Sequence, residues 1–165
     1  MDRLWTPWRY HYLAGESGEK CEASDPDCIF CTLQQDQSKD KQHFILHRAK
    51  FNYVVLNIYP YTSGHLLIVP YQHTADLDTA TRDTTDELME LAKKSQTALR
   101  ATYNAQGFNL GMNLGRAAGA GVAGHIHLHV MPRWAGDANF MTTVGETRVL
   151  PEDLSTTYSR LLGKF

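Results

Sequence analysis

Between Gly124 and Pro132 the chain reads Gly-His-Ile-His-Leu-His-Val-Met-Pro, three histidines alternating with apolar residues. A repeat of two is the period of a β-strand. His125, His127 and His129 are therefore expected on one face of a strand, with Ile126, Leu128 and Val130 on the other, in a core. The Cα atoms of successive histidines would stand roughly 6.5–7 Å apart. Packing alone gives no reason for three imidazoles in a row. Each ring can be a nucleophile, a proton carrier, a hydrogen-bond donor to phosphate or a metal ligand. The plainer alternatives are solvated strand histidines and a site that only binds metal.

The remaining elements point to one α+β domain over residues 1–165 with a mainly antiparallel, five-stranded sheet. Strands are expected at Phe44–His47, Tyr53–Asn57, His65–Val69, Phe108–Asn113 and along the histidine segment. The long helix is expected over 84–103. Thr84 and Glu87 would form its capping box, and Leu88, Leu91, Ala92, Ser95, Ala98, Leu99 and Thr102 a core-facing stripe. Thr32–Gln42 reads as partly helical, and Pro151 suits the first turn of a C-terminal helix over Pro151–Leu162. Residues 1–13, with Trp5, Trp8, Tyr10 and Tyr12, read as an arm packed on the core or on a second subunit, and 14–27 as a loop.

Composition narrows the function classes. A net charge of −2 gives no general basic surface for nucleic acid or membrane, although it does not exclude a small anion held by a local site. Met1–Trp5 opens no signal-peptide core, and the apolar run Leu66–Val69 is too short to cross a bilayer. Three cysteines argue against a disulfide framework, so the cytoplasm is the expected compartment.

Two further patterns carry chemistry. Gly111, Gly115, Gly119, Gly121 and Gly124 leave backbone N–H groups open to an anion directly before the histidines. The loop holds no lysine and does not match G-x-x-x-x-G-K-[ST], so an ordinary ATPase is not supported. Cys28-x-x-Cys31 follows a polar loop rather than a strand, which disfavours a redox pair. A structural zinc site needs two more ligands; His73 and His125 are the best candidates, with Cys21 and His43 as alternates.

His125-Ile-His-Leu-His-Val-Met131 fits the His-φ-His-φ-His-φ-φ signature, and Asn57 … Pro60 … Gly64-His65-Leu66 … Pro70 fits its upstream block. Over about residues 28–134 the chain resembles the histidine triad superfamily. Its flanks, Arg3–Arg9 and Pro132–Phe140, resemble the bacterial branch related to diadenosine tetraphosphate phosphorylases. The resemblance implies a core over 28–134, a C-terminal extension over 135–165 and pairing of two copies through sheet and long helix. It implies His127 as nucleophile toward a nucleotide α-phosphate, His129 as donor to phosphate oxygens, and His65 in a supporting polar role. It implies Asn57 at the ribose and the set Cys28, Cys31, His73 and His125 around a structural zinc. Gly121 stands where hydrolase members have Gln and phosphorylase-like members Ser. Backbone N–H groups at Gly119 and Gly121, with Asn113, Arg116 or Trp134, are then the expected phosphate contacts. The implied reaction is cleavage of dinucleoside polyphosphates with orthophosphate as acceptor. The alternatives are a hydrolase of dinucleoside polyphosphates or nucleoside phosphoramidates and, in another class, a non-catalytic nucleotide-binding module.

Overall fold

The computed structural model describes residues 28–146 and 150–165; the aromatic segment 1–13, the expected loop 14–27 and Cys21 lie outside them. Five strands form one sheet: β1 Ile45–Arg48, β2 Asn52–Leu56, β3 Leu66–Pro70, β4 Gly107–Gly111 and β5 Leu128–Arg133, in the order β1-β2-β3-β5-β4. Every neighbouring pair is antiparallel. The helices are α1 Ile29–Gln34, α2 Arg82–Tyr103, α3 Phe140–Thr143 and α4 Leu154–Leu161. This is the expected α+β architecture with one long helix.

Strand alternation sorts the core into two layers. Val54, Leu56, Leu66, Ile68, Leu128 and Val130 face α2, where Leu88, Leu91, Ala92, Ala98 and Leu99 meet them. Tyr158 and Leu161 of α4 join that layer, so the C-terminal extension shares the core. Tyr53, Val55, Leu67 and Val69 face the other way and pack with Cys28 and Phe30. Leu67 lies directly opposite His129, which puts the histidine on this second face.

Three expected boundaries are corrected. The N-cap of α2 is Thr81, not Thr84: the Thr81 side chain accepts from the Thr84 amide. Position 84 carries no Glu or Gln, so the true cap lacks the box signature. Glu87 instead accepts the backbone N–H groups of Lys50, Phe51 and Asn52 and the Asn52 side-chain amide, tying α2 to the β1–β2 turn. The C-terminal helix is capped by Asp153, which accepts from the Thr156 amide, and Pro151 lies before it.

The third correction concerns the histidines. β5 begins at Leu128, so only His129 of the three is in the assigned strand. The β3–β5 ladder runs Leu66↔Val130, Leu67↔His129 and Ile68↔Leu128. Two steps further it would meet Pro70, which has no N–H to offer. The Ile126 amide donates to the Thr74 carbonyl instead. His125 and His127 therefore lie in the lead-in to the strand while still occupying the histidine face.

Candidate functional site

Backbone groups decide which nitrogen of each histidine carries its proton. His127 Nδ1 lies 3.0 Å from the His125 carbonyl, an acceptor, so Nδ1–H donates and Nε2 keeps its lone pair. His65 Nδ1 accepts the Tyr61 amide at 3.1 Å, so its proton sits on Nε2. That Nε2–H donates to His129 Nδ1 at 2.8 Å, which leaves the His129 proton on its own Nε2. His129 Nε2 is buried and has no partner among the described residues. A lone pair on His127 and an unused donor on His129 thus stand side by side, with ring centroids 4.9 Å apart.

All three rings are held neutral. Burial lowers the pKa of His127, partly opposed by its bond to the His125 carbonyl. Burial, followed by charge repulsion from His129 and His127, pushes His65 down to about 3. Burial and the neighbouring His127 push His129 down to about 4. A neutral imidazole nitrogen is a competent nucleophile near pH 7.

His127 and His129 open into a cavity of about 380 Å³. Its apolar lining includes Ile29, Phe30, Leu33, Val55, Ile58 and Leu67. Asn57, Asn113, Tyr59, Tyr61, Gly119 and Gly121 line the same cavity beside the two histidines. A Cβ built on Gly121 meets nothing within 4 Å, so the bare backbone leaves room in the cavity rather than relieving a clash. Asn57 Nδ2 approaches His65 Nδ1 at 3.4 Å, and Asn57 Oδ1 accepts the Tyr59 amide. His65 lies beneath His129 and does not line the cavity.

Two expected phosphate contacts fall elsewhere. Trp134 lines a separate cavity of about 440 Å³ with Tyr103 and Glu152, and its indole N–H donates to the Tyr103 carbonyl. It stands an odd number of residues beyond His129, so strand alternation turns it to the α2 side. Arg116 sits in an exposed 3-10 turn and is not among the residues lining the histidine cavity.

Behind the cavity, Cys28, Cys31, His73 and His125 bring one ligand atom each within 4.8 Å of one another. Cys28 Sγ–His125 Nδ1 is 3.3 Å, Cys31 Sγ–His73 Nδ1 3.2 Å and Cys31 Sγ–His125 Nδ1 3.6 Å. A tetrahedral zinc with Zn–S near 2.3 Å and Zn–N near 2.0 Å requires ligand-to-ligand edges of roughly 3.3–3.8 Å; these three distances lie close to that range, and two thiols with two imidazoles are donors of the right type. His125 Nε2–H donates to the Pro70 carbonyl at 2.9 Å, freeing Nδ1 for a metal. His43, the alternate ligand, is not in the cluster; it lines the cavity, with Nδ1 3.4 Å from the Leu33 carbonyl.

Sequence reasoning missed two contributors. Phe30 packs on both His125 and His127, at centroid distances of 5.5 and 5.0 Å. Its place inside Cys-x-x-Cys was the available signal. Tyr61 acts through its backbone N–H, which no side-chain pattern reveals.

Comparison with known proteins accords with this geometry. The HIT domain family model matches residues 38–136. The AP-4-A phosphorylase of Mycobacterium tuberculosis is 39% identical over 157 residues, 95% of this chain and 80% of that protein. A zinc-bound histidine triad family protein from Mycobacterium smegmatis superposes with a TM-score of 0.67 at 30% identity, covering 84% of this chain and 93% of that one. The diadenosine triphosphate hydrolase of Plasmodium falciparum shares the fold at a TM-score of 0.59 and 17% identity, over 73% of this chain and 72% of that one. The chain belongs to the HIT domain family, as an enzyme of its nucleotidyltransferase or hydrolase kind.

Proposed function

We propose that the protein cleaves dinucleoside polyphosphates such as diadenosine tetraphosphate by nucleotidyl transfer through His127, with orthophosphate as acceptor. The carrying observation is the Nε2 lone pair of His127 beside the Nε2–H of His129, which has no partner among the described residues, in a cavity with a largely apolar lining. His127 Nε2 attacks the α-phosphorus. A P–N bond forms, and the P–O bond to the departing nucleoside triphosphate breaks. His129 Nε2–H donates to a phosphate oxygen on which charge builds, and the amide at Gly121 is suited to another, whereas the Gly119 amide is already bound to the Arg116 carbonyl. Orthophosphate then attacks the same phosphorus, the P–N bond breaks, and ADP leaves with His127 restored. Asn57 is assigned to the ribose. The 39%-identical phosphorylase supports phosphate over water as acceptor.

Product analysis tests this. Radiolabelled orthophosphate entering ADP, with ATP as co-product, is the expected result. AMP without label would assign the chain to the hydrolases, and binding without turnover would make it a non-catalytic module.

Within the same reading, Cys28, Cys31, His73 and His125 hold a structural zinc that ties α1 to the histidine segment. When bound, the ion supplies a cross-link and no step of the reaction. Metal analysis of purified protein, with Cys28→Ser as control, is expected to find one zinc per chain, lost in the variant. We also assign the protein to the cytoplasm, which suits two described cysteines that form no disulfide. No described helix is long and apolar enough to cross a membrane. Pairing of two copies is part of the reading as well. β4 is an edge strand with Leu110 exposed, and sedimentation is expected to show a dimer.

A further inference from the structure

We propose that His43 reads the base of the nucleotide whose α-phosphorus is held at His127, by accepting a hydrogen bond from the amino group at purine position 6. Adenine nucleotides are then favoured over those of the 6-oxopurines, hypoxanthine and guanine. This rests on the reading of the histidine cavity as a nucleotide site and names the base it takes.

The sheet register gives the cavity two ends. Ile45 stands opposite Val55, Val55 opposite Leu67, and Leu67 opposite His129. One row of residues thus crosses β1, β2, β3 and β5 on the histidine face. With neighbouring strands about 4.7–4.9 Å apart, the row runs roughly 14 Å from His129 to Ile45. Val55 and Leu67 line the cavity between, and so does His43, two residues before Ile45. His127 and His129 mark the β5 end, and His43 marks the β1 end. Asn57 and Tyr61 make contact with His65 or His129 instead. A nucleotide with its phosphorus at His127 lays its ribose and base over Leu67 and Val55. The outer edge of the base, the part farthest from the phosphorus, then comes to His43.

Hydrogen bonding decides what His43 offers there. Its Nδ1 lies 3.4 Å from the Leu33 carbonyl, which can only accept, so Nδ1–H donates and Nε2 keeps its lone pair. No hydrogen bond among the described residues engages that Nε2. The backbone on either side of the ring is tied down. The His43 amide donates to the Lys39 carbonyl at 2.8 Å, and the Ile45 amide to the Asp40 carbonyl at 2.9 Å. Arg48 binds both carboxylate oxygens of Asp40 and donates to the Gln34 carbonyl, which joins the segment to α1. Leu33, whose carbonyl holds the ring, and Val55, on the strand next to β1, bring only hydrocarbon side chains to the cavity. Adenine carries a donor at position 6, where guanine carries an acceptor. The donor pairs with the Nε2 lone pair. A 6-oxo group sets acceptor against acceptor and leaves both without a proton to share.

The experiment compares diadenosine with diinosine tetraphosphate, which differ at purine position 6 and the adjoining ring nitrogen, for the unmodified protein and for His43→Leu. Binding of adenosine and inosine monophosphates is measured alongside by calorimetry. The unmodified protein is expected to favour adenine about threefold to tenfold in kcat/KM, mainly through KM, and by a similar factor in Kd, the worth of one hydrogen bond. His43→Leu is expected to bring both ratios to within about twofold of unity. No preference in the unmodified protein, a preference for inosine, or equal losses on the two bases in His43→Leu with the ratio unchanged would overturn the proposal; the last would leave His43 as packing alone. If the unmodified protein cleaves neither dinucleotide but binds the adenosine monophosphate more tightly by the expected factor, the catalytic reading fails and the base reading stands. Cleavage of both dinucleotides with equal kcat/KM removes the base reading alone.

Discussion

The two faces of the sheet are built on opposite terms. Toward α2 the strands present Val54, Leu56, Leu66, Ile68, Leu128 and Val130, and what they meet is mostly aliphatic. Toward α1 the layer contains Tyr53, Val55, Leu67 and Val69, and beside it stand His125, His127 and His129, each buried. Burial of an apolar side chain is favourable by itself. Burial of an imidazole is tolerable only when its polar nitrogens are satisfied. On the histidine face the satisfying groups come from the Pro70 and His125 carbonyls, the Tyr61 amide and His65. Of the nitrogens on His65, His125, His127 and His129 that would carry a proton, His129 Nε2 is the one without a partner among the described residues, and His129 lines the cavity, where a phosphate oxygen would complete it. Stability is concentrated on one face and chemistry on the other, and each can be damaged separately.

The largest separation is expected from His127→Ala. It should reduce turnover of diadenosine tetraphosphate by more than about a thousandfold, as removal of a nucleophile does, with the melting temperature within a few degrees of the parent. On the other face, Leu99 is fully buried against the strands. Leu99→Ala should cost about 2–5 kcal/mol of stability. Measured well below its melting temperature, that variant should retain kcat. A His127→Ala protein that unfolds, or a Leu99→Ala protein that folds but does not turn over, would dissolve the division between faces.

A smaller effect tests how the histidine face is wired. His65 touches no substrate in this arrangement; it positions His129 by presenting Nε2–H to its Nδ1. His65→Ala frees His129 to carry its proton on either nitrogen, and kcat should fall about 10- to 100-fold. His65→Gln, whose amide can still donate to His129, should recover part of the loss. Equal defects in the two variants would mean that His65 matters only as bulk.

How much of this was legible beforehand follows from what each pattern encodes. The two-residue alternation of the histidine segment revealed the sidedness, and the pair Cys28 and Cys31 with His73 and His125 was recoverable because the ligands are side chains of distinctive type. Register was not legible: the stop of the β3–β5 ladder at Leu128 depends on which residue faces Pro70. Trp134 was assigned to phosphate although its parity along β5 already turned it to the other side. The cap at Thr81 was hidden because its partner is a backbone amide and Glu87 is used by another turn. Interactions through main-chain atoms leave little trace in residue identity, and the proton positions in the active site are set largely by such atoms.

The smallest expected effect distinguishes the faces by pH. His65 and His129 are held neutral in the fold, near 3 and 4, while in the unfolded chain they take up protons below about 6.5. The unfolded state therefore binds more protons, and stability on this account falls as pH drops from about 6.5 toward 4. Glu87, on the α2 side, follows a lower window. Burial pushes its carboxyl up, but the hydrogen bonds from Asn52, Phe51 and Lys50 more than offset this and leave it below 4.5. Its contribution is fully present above the unfolded value and is lost as pH falls below it. Denaturant midpoints should thus decline in two stages, first with the histidines and then with Glu87. Glu87→Gln should lower the plateau near neutral pH by about 1 kcal/mol, the worth of a weakened charge-assisted hydrogen-bond set, and should flatten only the second stage. If Glu87→Gln flattens the decline between pH 6.5 and 5 instead, the acid sensitivity does not belong to the histidine face.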